Sequence, residues 1–302
     1  MNLDQEDRRI PITDLWPFET YITLEDVMRA YPPKDDLVPW EPTYGGPVVA
    51  IGRAVYETQP QEATDHLLRL QTHFARSIAP GNLWMLPTYE RMPYPYAVYW
   101  PLGNAFHLEK KQQRRFDWFV WMDDDVLVSP EDIKALMAVA DPVERPFVSA
   151  LPYDRFEPHM PAVTEAVDGQ LMKWVKAPKT GTYPCFHVGL CLAVFHRSLF
   201  DRVPEPWFAA MPPIKGFSGV APDWWWCYQM NKANITPHVC CDANVIHLGR
   251  KLHVNREFSE QWNERSPRRD RFPDAAKERR TISTVSGAEI VRPIVYPDGR
   301  SE

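Results

Sequence analysis

Between about residues 47 and 250 the apolar positions follow two rhythms in turn, and their alternation sets the expected architecture. Val48, Val49, Ala50 and Ile51 are apolar without a break inside the stretch 47–56, as in a strand buried on both faces of a sheet. Ala63, Leu67, Leu70, Phe74 and Ile78 then recur at spacings of three and four, the period of a helix with one apolar face. Pro80-Gly81 ends that helix. A short strand over 83–86 and a helix around 104–113 follow. The stretch 116–122 is apolar on both faces apart from Asp117, which puts it at the centre of the sheet. Ser129 suits the N-cap and Pro130 the first turn of a further helix over 131–140. Strand, helix, strand, helix predicts an α/β fold with a mostly parallel central sheet flanked by helices.

After a strand over 147–151 the pattern changes. The segments 163–167 and 170–175 flank Asp168-Gly169, a pair favoured in tight hairpins, so an antiparallel portion is expected beside the parallel core. A strand over 190–195, a helix over 223–233, a short strand over 239–241 and the segment 245–249 complete the patterned part. Residues 1–46 are rich in proline, with one short helix near 24–30. They read as an N-terminal extension packing on a domain that spans 47–254. Residues 255–302 read as a polar C-terminal tail.

Composition narrows the classes of function. The 302 residues are 44% hydrophobic and 25% charged, with a net charge of -6, which fits a folded protein and gives no overall attraction to nucleic acid or anionic membrane. No apolar run approaches the roughly 20 residues of a membrane span, and the first residues are too polar and acidic for a signal peptide. The five cysteines, an odd number, argue for a reducing compartment over a disulfide framework, so a cytoplasmic location is expected. Cys185, His187 and Cys191 lack the paired spacing of a structural zinc site.

The chemistry concentrates at Asp123-Asp124-Asp125, directly after the central strand. Open α/β sheets bind ligands outside the carboxyl ends of their strands. Neighbouring carboxylates repel and raise one another's pKa. A hard divalent cation removes that repulsion, prefers oxygen ligands and draws in phosphates. The plainer alternative is a solvated acidic loop beside the start of the next helix.

The segment Phe116-Asp117-Trp118-Phe119-Val120-Trp121-Met122-Asp123-Asp124-Asp125-Val126 resembles the DxD segment of glycosyltransferases with the GT-A fold, especially their family 2-like group. Pro101-Leu102-Gly103-Asn104-Ala105 is similar to the segment before it, with Gly103 where that group usually has arginine. Phe186-His187-Val188-Gly189-Leu190, continuing to residue 200, resembles the glycine-containing strand on the acceptor side. Ala221-Pro222-Asp223-Trp224-Trp225-Trp226-Cys227 resembles the acidic motif that opens a helix, with Pro222 in place of the usual first acid. Val245-Ile246-His247-Leu248-Gly249 resembles the late histidine segment. The five segments occur in the family's order over about residues 47–250.

The resemblance implies metal-dependent transfer of a sugar from a nucleotide-sugar donor, UDP-linked first, to an acceptor hydroxyl. Asp125 would be the main metal ligand, Asp123 would hold the ribose or the metal, and Asp124 would be the variable middle residue beside the nucleotide. His247 would complete the coordination, and its imidazole favours Mn2+ over Mg2+. Asp223 would be the general base of an inverting transfer, although Pro222 leaves a retaining enzyme or a displaced base open. Arg53 would meet the nucleotide base, and Asn104, Gly189 and Trp224 would join the donor site.

Each role has a structural competitor. His247 could be a buried histidine satisfied by backbone, Asp223 an N-cap, and Arg53 an ordinary surface arginine. Trp224, Trp225 and Trp226 cannot all face one way on a helix, so at least one packs in the core. Arg250, Lys251, Arg256, Arg265, Arg268 and Arg269 could clamp a diphosphate or a nucleic acid, or form a solvated tail. The acceptor stays open among a saccharide, a protein, a small molecule and a hydroxymethylated DNA base. Rival functions are a metal-dependent nucleotidyltransferase or phosphohydrolase, and a carbohydrate-binding relic without turnover.

Overall fold

The computed structural model describes residues 23–33, 45–55, 61–78, 80–88, 96–155, 159–167, 170–174, 176–209, 221–248, 253–265 and 281–283. Thr23 opens α1 (Leu24–Ala30) through a reciprocal capping box with Asp26. β1 (Val49–Ala54) is buried at every position, as its unbroken apolar run predicts. α2 (Gln61–Ser77) turns Ala63, Leu70 and Phe74 inward, and β2 (Leu83–Met85) follows. α3 (Tyr96–Gln112) leads into β3 (Trp118–Asp123), which continues through a turn into β4 (Val126–Leu127). Ser129 caps α4 (Pro130–Val139) in a second capping box, with Asp132, and Pro130 occupies the first turn as expected.

The second half holds β5 (Phe147–Ala150), β6 (Val163–Val167), β7 (Gln170–Lys173), β8 (Thr182–Pro184), β9 (His187–Val188) and β10 (Leu192–His196). After these come α5 (Leu199–Arg202), α6 (Pro222–Lys232), β11 (His238–Cys240), β12 (Ile246–Leu248), β13 (His253–Val254), α7 (Arg256–Arg265) and β14 (Thr281–Ser283). β6 and β7 pair antiparallel with Val167 opposite Gln170, the register of a two-residue hairpin; Asp168 and Gly169 themselves lie outside the described residues.

The central sheet has seven strands in the order β2-β1-β3-β10-β5-β11-β8. β2, β1, β3, β5 and β11 share one direction, while β10 and β8 oppose it. The protein is therefore a mixed α/β structure whose sheet is parallel in most of its strands. The expected antiparallel portion does not all stand beside the parallel core, because β10 is inserted between β3 and β5. Alternate strand residues feed two cores, one on each face of the sheet. Ala50, Phe119, Trp121 and Phe195 pack with α1, α3 and α6 on one face. Val49, Ile51, Trp118, Val120 and Met122 pack with α2 and α4 on the other.

α3 begins eight residues earlier than the spacing predicts, since it starts at Tyr96 rather than near 104. Every residue from 97 to 105 is buried, so this half of the helix carries no polar face and shows no amphipathic period. Pro101 inside it reads as a breaker. Its ring instead packs over β1 at Gly52, where an added Cβ would lie 2.8 Å from Pro101 Cβ and 2.8 Å from Phe119 Cζ. Gly52→Ala is expected to destabilise the fold by ~1–3 kcal/mol through overpacking, read as a lower midpoint in thermal unfolding. At Gly103 an added Cβ would fall 2.3 Å from Met28 Cε, so Gly103 is where α1 seats on α3.

The segment read as a polar tail starts with a docked helix. In α7, Phe258 and Trp262 stand one turn apart and both contact the His159 ring, while the buried Ser259 hydroxyl donates to the His159 carbonyl. All five cysteines are buried free thiols. Among the described residues no helix is long and apolar enough to cross a membrane.

Candidate functional site

β3 carries the acidic run to the edge of the core. Asp123 pairs with Ala54 of β1 and donates its backbone N–H to Cys191 O at 3.0 Å. The chain then turns at Asp124 and Asp125 before entering β4. Arg53, only 4% exposed, braces this turn from within. Its guanidinium donates to Asp123 O at 3.3 Å, to Asp124 O at 3.1 Å and to Ala63 O at 2.9 Å. Burial lowers the Arg53 pKa, opposed by the charges of Asp124, Asp123 and Asp125. A buried guanidinium needs such partners, so its neighbours account for Arg53 as the brace of the turn. Asp124 is itself buried, and Asp123 and Asp125 are half-buried.

A second, three-stranded sheet, β13-β12-β4, completes this corner. β12 pairs antiparallel with β4 so that His247 lies opposite Val126, and Leu248 N–H donates to Asp125 O at 2.6 Å. That register brings His247 Nε2 to 3.4 Å from Asp125 Oδ1, with both side chains 19% exposed. His247 Nδ1 lies 3.0 Å from Tyr153 O. A carbonyl only accepts, so Nδ1 carries the proton and Nε2 is the atom turned to Asp125. Metal-bound imidazoles are oriented by this kind of backbone hydrogen bond. The exposed Arg155 donates to the other oxygen of Asp125, and Asp123 Oδ1 accepts from Trp121 Nε1 at 3.0 Å.

The carboxyls are driven apart in acidity. Burial holds Asp123 well above the usual carboxylate range, and the charges of Asp125, Asp124 and Asp223 add to it. Burial would also raise Asp125, but the hydrogen bond and charge of His247, with Arg155, outweigh it and leave Asp125 low. Burial would lower His247, but the hydrogen bond and charge of Asp125, with the bond to Tyr153 O, together outweigh it and raise His247 above 6.5. His247 therefore contributes stability that is complete below about pH 6.5 and lost as pH rises through its elevated folded value. Asp125 contributes stability present above 3.8 and lost as pH falls through its lowered folded value. Thermal unfolding in chelator is expected to show stability falling as pH rises above about 6.5, with a shallower fall in His247→Gln.

Among the described residues no group of three His, Cys, Asp or Glu side chains is arranged to hold a metal ion unaided. The groups whose chemistry could serve as ligands are the Asp123 carboxyl and the Asp125–His247 pair, whose Nε2 faces Asp125 Oδ1. A cation here would take protein ligands from these residues and further oxygens from the substrate.

Asp223 approaches from α6. Ala221 is the N-cap and Pro222 sits in the first turn, so Asp223 is not the cap. Its Oδ1 accepts the Trp224 N–H at 2.8 Å, and its Oδ2 lies 3.2 Å from His187 Nε2. The His187 ring, 4% exposed, stacks on Trp224 with centroids 4.0 Å apart and planes 8° from parallel. Gly189 lies alongside, where an added Cβ would come 3.6 Å from Asp223 Oδ2. Gly189 stands two residues before Cys191, whose carbonyl accepts the Asp123 N–H, so Asp223 lies near the end of β3. Trp225 and Trp226 are buried and Trp224 is half-buried.

The structure thus gathers Asp123, Asp124, Asp125, His247 and Arg53 in one cluster, and Asp223, Gly189 and Trp224 in an adjoining one. Asn104 is different. It is 0% exposed within α3, and its Nδ2 donates to Trp100 O at 2.8 Å. Of the basic tail residues, Arg256 bonds Pro178 O and Cys241 O on the domain. Arg250, Lys251, Arg268 and Arg269 lie outside the described residues. Sequence reasoning missed His187 and Arg155 as members of the site. His187 stood two residues before Gly189 in a motif already singled out, whereas nothing in the sequence around Arg155 marks it.

No family model and no curated protein matches the chain. Among solved structures, A197 from STIV is similar over 70% of this chain and 91% of its own, at 13% identity and a TM-score of 0.49. A glycosyltransferase involved in the glycosylation of the major capsid of PBCV-1 is similar over 53% of this chain and 70% of its own, at 17% identity and a TM-score of 0.28. Likeness at these scores carries no function across, and the functional reading rests on the site itself.

Proposed function

We propose that the protein is a metal-dependent glycosyltransferase with a GT-A-type fold, moving a sugar from a nucleotide-sugar donor to an acceptor hydroxyl with inversion. The observation that carries this reading is an acidic corner with a second carboxylate near it. Asp123 and Asp125 with His247 form the corner at the end of β3, and Asp223 of α6 lies beside Gly189, two residues before the Cys191 whose carbonyl accepts the Asp123 N–H. Two carboxylate environments with different partners suit two different tasks.

Asp125, His247 and Asp123 are the residues to hold Mn2+ or Mg2+ with the donor diphosphate. When bound, the cation supplies positive charge against the leaving diphosphate. Arg53 keeps the aspartate turn in place by its hold on the Asp123 and Asp124 carbonyls. Asp223 takes the proton of the acceptor hydroxyl at Oδ2 as that oxygen attacks the anomeric carbon. Trp224, fixed by its stack on His187, offers an aromatic edge to the sugar or acceptor. UDP is the first nucleotide to try.

The test is a screen of UDP-, GDP- and TDP-sugars with Mn2+, reading nucleoside diphosphate release with water as the acceptor. Slow hydrolysis of one donor, abolished by chelator and restored by Mn2+, is the expected result. Release from none of them, or release indifferent to chelator, overturns the reading.

A further inference from the structure

The geometry points to His187 as the residue that positions the Asp223 carboxylate, an inference that rests on Asp223 being the base. The Asp223 side chain is held at two points. Oδ1 accepts the N–H of the next residue, Trp224, at 2.8 Å. That bond alone leaves Oδ2 undirected. His187 Nε2, 3.2 Å away, supplies the second point and sets where the remaining lone pairs of Oδ2 aim.

The imidazole is well suited to this role because it is itself fixed. β9 places His187 opposite Thr164 of β6, and the flanking backbone is bonded on both sides, Phe186 N–H to Thr164 O at 2.7 Å and Gly189 N–H to Ala162 O at 3.0 Å. One ring face lies flat on Trp224. Consecutive residues of α6 thus grip His187, Asp223 at the ring edge and Trp224 on the ring face. Gly189 adds no side chain next to Oδ2, where any Cβ would begin 3.6 Å away. The arrangement repeats the logic of a reacting group oriented by a second residue that does not itself touch substrate.

Two substitutions separate the hydrogen bond from the stack. His187→Phe keeps a flat ring against Trp224 and removes the donor. His187→Gln loses the ring and keeps an N–H of similar reach. Nucleoside diphosphate release at saturating donor is expected to fall on the order of 10- to 100-fold in His187→Phe, with donor KM unchanged, whereas in His187→Gln the loss of the stack on Trp224 raises KM and turnover falls by no more than about threefold. A purely structural histidine predicts the reverse order. In an Asp223→Asn background, His187→Phe is expected to have no further effect, because it acts through that carboxylate. Should the Phe variant fail to fold, His187→Asn, whose amide is too short for Oδ2, replaces it with the same expectations. An active wild type with His187→Phe unimpaired, or with saturated turnover of His187→Gln falling as far as that of His187→Phe, overturns the positioning role alone. A wild-type protein inert towards every donor instead overturns the transferase reading beneath it.

Discussion

Asp125→Ala is expected to lower nucleoside diphosphate release by about 1,000-fold or more, because it removes the best-placed carboxylate of the proposed cation site. Metal stabilisation of a leaving oxyanion is worth several kcal/mol, and each ~1.4 kcal/mol is a factor of ten in rate. The substitution should also take away Mn2+ binding, measurable by titration calorimetry on the protein saturated with nucleoside diphosphate. Its effect on folding should be small for a change at this position. The lost His247 and Arg155 contacts are partly solvated, and Asp123 is relieved of the charge that most raises its pKa after burial. Thermal unfolding in chelator checks that point. Release and Mn2+ affinity both equal to wild type would remove the metal from this corner.

Asp223→Asn is expected to cut release by about 10²- to 10⁴-fold while donor affinity stays near wild type, the range for loss of a general base. Asn is a fair probe here because its oxygen can still accept the Trp224 N–H, so α6 keeps its first turn. What disappears is the capacity to take a proton at the position beside His187. Equilibrium binding of the nucleoside diphosphate with Mn2+ separates the two effects. Weakened binding would assign Asp223 to the donor, and undiminished release would exclude it as base.

The parts of this arrangement visible in the sequence were those with local signatures. Val48 to Ile51 and the 116–122 run announced buried strands, Ser129-Pro130 announced α4, and the triple aspartate announced itself by position. Hydrophobic periodicity fails where a segment is buried on all sides, which is why the first half of α3 went unseen. It fails again for two- and three-residue strands such as β4, β9 and β12, too short to show a period at all. Those same strands set the register of His247 and His187. The role of Arg53 was hidden for a related reason: a guanidinium that bonds backbone carbonyls leaves no pairing pattern among side chains.

The pairing of β12 with β4 gives the acidic corner a late arrival in the folding order. Asp125 sits before the midpoint of the chain, and its imidazole neighbour is supplied from the far side of α6. A growing polypeptide can close β1, β2 and β3 into a sheet long before Leu248 reaches the Asp125 carbonyl. Until then the aspartate turn lacks the Leu248 N–H and the imidazole that meet Asp125 in the finished fold. Ion capture and C-terminal docking should therefore favour one another, each tightening with the other present.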